Sequence, residues 1–103
     1  LDVLEAAKES AAMLAYHALA AGLADAAFRY SLAAGQEALR LAAAGEAVVH
    51  FEKARQLAQE ASLTGVAFES HLRDLYLQLS RAYELNGQPE QASATYDQLS
   101  KLP

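Results

Sequence analysis

An all-α domain is predicted by three features of the sequence. The chain is rich in alanine, the residue with the highest intrinsic helix propensity. Its 103 residues include only two prolines and five glycines, so few points break a helix. Most of those breakers, Gly22, Gly45, Gly65, Gly87 and Pro89, fall between apolar stretches of helical length. Hydrophobic residues make up 53% of the chain, well above what a disordered segment carries. A single domain spanning residues 1–103 follows, large enough for a modest core.

Five helices are expected. The first runs from about Asp2 to Ala21 and stops at Gly22, a residue suited to a left-handed C-terminal cap. The second starts near Ala24 or Asp25, with Asp25 favourable at the positive end of the helix dipole, and ends near Ala44. Gly45 separates it from the third, about Glu46 to Ala61. Ser62-Leu63-Thr64-Gly65 reads as a loop in which Ser62 or Thr64 can cap the next helix. The fourth runs from about Val66 to Leu85 and is closed by Asn86-Gly87. The fifth spans Pro89 to Leu102, with Pro89 in a first turn whose amide hydrogens lack helical partners in any case. The short connections predict that successive helices pack antiparallel.

Charge and composition exclude several functions. Thirteen acidic and eight basic residues give a net charge of −5, and the basic residues are scattered. A nucleic-acid binder needs a positive stripe to displace counterions from phosphates, so no nucleic-acid contact is expected. The absence of cysteine removes disulfide and thiol chemistry and fits a cytoplasmic location. The longest apolar stretch, Ala11 to Ala24, is too short to span a bilayer, and no membrane association is expected. The chain opens on Leu1-Asp2-Val3-Leu4, already in helical pattern and without Met, which suggests a fragment of a longer multidomain protein.

The residues of a catalytic or cofactor site are not assembled. There is no Gly-x-x-x-x-Gly-Lys-Ser/Thr phosphate loop, no Gly-x-Gly-x-x-Gly and no Gly-x-Ser-x-Gly elbow. His17, His50 and His71 fall on three different helices without zinc-ligand spacing, so no metal is expected. His17 reads as a helix-packing or hydrogen-bonding residue, and His50 and His71 as surface residues beside acids. Carboxylates such as Glu5, Glu9, Glu69 and Asp74 lie among polar neighbours, as on a solvated helix face. No catalytic residue, cofactor or enzyme activity is expected.

A weak internal repeat supports an array of helix pairs. Ala47, Phe51 and Ala54 recur 45 residues later as Ala92, Tyr96 and Leu99, and Gly35 recurs as Ser80. Tyr76-x-x-Leu79-Ser80-x-x-Tyr83, then Asn86-Gly87, then Ala92-x-x-x-Tyr96 is similar to the tetratricopeptide signature. The second and third helices keep Gly35, Ala47, Phe51 and Ala54 but carry Ser31 and Ala38 where that signature has aromatics. The resemblance implies five antiparallel helices in a right-handed array that binds protein segments and is not catalytic. It implies that Tyr76, Tyr83 and Tyr96 pack between helices.

A longer pattern includes Leu14-Ala15-Tyr16-His17, Ala34-Gly35-x-x-Ala38-Leu39 and Ala82-Tyr83-Glu84-Leu85-x-Gly87. It resembles the helical region downstream of the ATPase module in large bacterial signal-transduction ATPases and transcriptional regulators. That resemblance implies a signalling or regulatory scaffold binding a protein or peptide segment. An alternative is a structural spacer coupling an upstream ATPase module to a downstream output domain by contacts within one chain.

In such an array the first helix of each pair lines the concave face. The candidate partner-binding face is therefore Arg29, Leu32, Gln36, Leu39 and Arg40 on the second helix, with Asp74, Gln78, Arg81 and Leu85 on the fourth. Acidic and apolar groups are the expected partners there. The first helix is apolar nearly all round from Ala11 to Ala21, which predicts neighbours on more than one side. A homodimer through Met13, Leu14, Tyr16 and Leu19 is a further expectation. The fifth helix has the polar outer face of a capping helix.

Overall fold

The computed structural model describes residues 10–61 and 66–102. Five α-helices make up its regular structure among the described residues: α1 (Ala11–Ala20), α2 (Ala24–Arg40), α3 (Ala44–Glu60), α4 (Val66–Leu85) and α5 (Pro89–Ser100). The fold class is all-α, as the composition predicts. Neighbours in sequence pack on one another, and α2 also reaches α4.

Helix α1 does not run on through Ser10. Ser10 has extended backbone, and its hydroxyl accepts the Met13 amide at 3.2 Å. A serine that satisfies an orphan amide of the first turn is worth more as a cap than inside the helix. The expected stretch from Asp2 to Glu9 lies outside the described residues, as does the Ser62–Gly65 loop.

One turn motif recurs three times. After α1, the Gly22 amide donates to the Leu19 carbonyl (3.0 Å) and the Leu23 amide to the Ala18 carbonyl (2.9 Å). After α2, Ala42 donates to Leu39 (3.0 Å) and Ala43 to Ala38 (2.8 Å). After α4, Gly87 donates to Glu84 (3.2 Å) and Gln88 to Tyr83 (2.8 Å). Each pair is a Schellman closure, with the left-handed residue at φ 76° (Gly22), 60° (Ala42) and 72° (Gly87). The residue after it opens the next helix: Leu23, Ala43 and Gln88 accept the amides of Ala27, Ala47 and Ala92. All three alanines are buried. The 45-residue offset therefore extends into the turns, since Ala42 and Gly87 are equivalent.

This corrects one boundary. α2 ends at Arg40 rather than near Ala44, and Gly45 lies in the first turn of α3 rather than between helices. Glycine is the favoured left-handed cap, but here tertiary packing decides. Moving the turn to Gly45 would rotate α3 against α2 and take Phe51 away from Gly35, where the ring packs directly on the α2 backbone. Helices α3, α4 and α5 match expectation to within two residues at both ends, and α1 does so at its C-terminal end.

The core is built mainly from the three middle helices. Phe28 and Leu32 of α2, Phe51 and Ala54 of α3, and Leu75, Leu79 and Ala82 of α4 are buried together. The Phe28 and Phe68 rings, 5.3 Å apart and tilted by 56°, join α2 to α4. Tyr76 and Tyr83 are buried, and Tyr30 and Tyr96 are partly buried against the same core. Tyr16 departs from that pattern and stands exposed beside the His17 ring.

Candidate interaction surfaces

The expected α2–α4 face is only partly a surface. Leu32 is 3% exposed and belongs to the core, which corrects its assignment to an accessible face. Helix α2 is packed by α1, α3 and α4, so its buried arc is wide and takes Leu32 with it. Leu39 is half-buried against the core, while Gln36 is exposed.

The cations of this face already have partners. Arg29 pairs with Asp25 one turn back (3.3 Å), and Arg40 pairs with Glu37 (2.5 Å). On α4, Asp74 and Arg81 are exposed, Gln78 is half-buried and Leu85 is exposed at the helix end. Arg81 sits near the Tyr96 hydroxyl, which donates to Glu84 at 2.8 Å. That bond to Glu84 holds the Tyr96 hydroxyl above its ordinary pKa.

A polar tie that the sequence reading missed joins three helices. The Tyr83 hydroxyl of α4 donates to a Glu52 carboxylate oxygen of α3. Arg55 donates to Glu52 through Nε (2.9 Å) and to Gln98 Oε1 of α5 through Nη1 (3.1 Å). Burial, followed by the Glu52 carboxylate, pushes the Tyr83 hydroxyl up to about 12. The one local signal was the Glu52/Arg55 spacing on one helix face. Their meeting with Tyr83 and Gln98 depends on how the helices dock. Beside this tie, a furrow of about 490 Å³ runs along the outer side of α3 past Val49, Lys53 and Gln56. A single helix lines it, so it has no opposing wall to clamp a ligand.

A groove of about 710 Å³ lies where α1, α2 and α3 meet. Its floor is alanine: Ala11 and Ala12 from α1, with Ala33, Ala34 and Ala38 from α2. Its rim carries Leu41, Glu37, Glu46 and His50. Alanine floors bring the helices close and leave a shallow trench whose base a partner can approach. The Arg40 hydrogen bond holds the Glu37 carboxyl below its ordinary range. His50 was expected at the surface and is half-buried here, as is His71.

The third surface is the outer side of α1 and the turn after it. Met13 (49% exposed), Tyr16 (65%), Leu19 (45%) and Leu23 (57%) lie on that side, while Ala15 and Ala18 are buried on the other. Leu14, expected to share this surface, is half-buried.

Among the described residues no group of three or more His, Asp or Glu side chains is placed to hold a metal ion. No helix among them is long and apolar enough to cross a membrane. No family model, no curated protein and no solved structure matches the chain.

Proposed function

We propose that the domain is a non-catalytic, tetratricopeptide-like scaffold that binds a segment of another protein. The repeated turn, its buried alanine four residues on, and the 45-residue offset support an array of related helix pairs.

The groove at the α1–α2–α3 junction is the observation that carries the binding role. Its alanine floor accepts apolar side chains, Leu41 adds an apolar wall, and Glu46 favours a cation at the edge, Glu37 being already paired with Arg40. The partner this chemistry fits is an apolar segment with at least one lysine or arginine. An acidic partner on the α2–α4 face fits less well, because Arg29 and Arg40 are already paired.

Selection from a random phage-displayed peptide library tests the proposal. Peptides carrying apolar residues and a Lys or Arg are expected to bind the wild type. Ala33→Arg, which places a cation in the trench, should abolish binding with an unchanged thermal melt. Arg81→Glu should leave binding intact. Loss on Arg81→Glu with retention on Ala33→Arg would move the site to the α2–α4 face. Failure to select any peptide would overturn the scaffold reading.

A further inference from the structure

The outer side of α1 is apolar and carries no ionised carboxylate, ammonium or guanidinium. From Ser10 to Ala24 the chain has no Asp, Glu, Lys or Arg, although its net charge is −5. Met13, Tyr16 and Ala20 follow one another at intervals of three and four residues, the spacing of a single helix side. Leu19 lies beside them. The other large exposed apolar residues do not form such a stripe. Leu41 adjoins Arg40, Val49 is one turn from Lys53, and Leu85 adjoins Glu84.

We propose that this stripe is a self-association surface, covered by the same stripe of a second copy of the chain. A partner with a charged face would find no counter-charge on α1 and would lose hydration on docking. An anionic membrane is disfavoured too, since interfacial helices use Lys and Arg that α1 lacks. The occupant must therefore present an uncharged apolar helix side, and α1 itself is such a side.

The stripe is also complementary to itself in the antiparallel sense. A twofold axis level with residue 18 sets Tyr16 of one copy opposite Ala20 of the other. A large ring then faces a methyl group at each Tyr16–Ala20 contact, and the twofold repeats the fit. Stacking α1 of one copy on α5 of the next is not complementary. The outer side of α5 exposes Glu90, Gln91, Ser93, Asp97 and Gln98. The stripe is short, so the contact falls below the standard interface size and associates weakly.

Sedimentation equilibrium of the 103-residue chain from about 1 μM to about 1 mM spans the affinities expected of such a contact. The apparent mass should rise with concentration from 11.0 kDa toward twice that value. Tyr16→Glu should remain at 11.0 kDa throughout with unchanged helicity, and Leu85→Glu should associate like the wild type. The chain has no cysteine, so single cysteines report the register. A mixture of Tyr16→Cys and Ala20→Cys should cross-link more than either variant alone. A monomeric wild type at every concentration would overturn the proposal, as would association of Tyr16→Glu equal to that of the wild type. Binding of the monomer to phosphatidylcholine–phosphatidylserine vesicles, lost in Tyr16→Glu, would assign the stripe to a membrane and overturn it equally.

Discussion

Gly35 of α2 lies directly against the ring of Phe51 of α3. A Cβ atom at Gly35 would sit 2.5 Å from Phe51 Cδ1 and 2.8 Å from Cζ, well inside van der Waals contact. Glycine in a helix interior normally costs about 0.5–1 kcal/mol relative to alanine. Here the cost is accepted because the missing Cβ lets the ring reach the α2 backbone. Gly35→Ala should therefore destabilise the domain by about 2–3 kcal/mol, the reverse of its usual sign. Chemical denaturation measures this. Adding Phe51→Leu should recover part of the loss, since the two positions share one contact.

Ala42 occupies the position that Gly87 holds in the later turn, at φ 60°. An L-residue in the left-handed region costs roughly 1 kcal/mol that glycine avoids. Ala42→Gly should raise stability by up to about 1 kcal/mol, or several degrees in melting temperature. Gly87→Ala should lower stability by a similar amount. If Ala42→Gly lowers the melting temperature, the turn is not held in this conformation.

Tyr83 gives the domain a measurable alkaline limit. Its hydroxyl has a folded-state pKa raised from 10.0 to about 12. Because the folded value is the higher one, the stabilisation is fully present below pH 10 and is lost as pH rises towards 12. Tyr83→Phe should remove this component and flatten the stability profile above pH 10. It should also cost about 1 kcal/mol at neutral pH through the lost bond to Glu52. A profile unchanged in Tyr83→Phe would assign the alkaline loss to other groups.

Ser31 is 1% exposed on α2, and its hydroxyl oxygen has no hydrogen-bond partner. The buried hydroxyls of Ser80 and Thr95 differ, each donating to the carbonyl one turn back, Tyr76 and Gln91, at 2.7 Å. Removing an unpaired buried hydroxyl relieves a desolvation penalty. Ser31→Ala should be neutral or stabilising by up to about 1 kcal/mol in urea unfolding. A loss of that size would show that the hydroxyl has a partner.

The sequence by itself determined the helical class, four of the five helix C-termini to within two residues, and the apolar character of α1. These are local properties: alanine propensity, capping residues and a run without charge. The 45-residue repeat was legible for the same reason, because each buried alanine or aromatic keeps its place relative to its own turn. Tertiary structure decided the rest. It placed the second turn at Ala42 instead of Gly45, because Phe51 must meet Gly35 and helix–helix contact outweighs the preference of one cap. It took Leu32 from the expected binding face into the core, because three helices cover α2. It joined Tyr83 to Glu52, 31 residues away, and Arg55 to Gln98, 43 residues away. Contacts of that range depend on the rotation and spacing of docked helices, quantities that no local pattern of residues encodes.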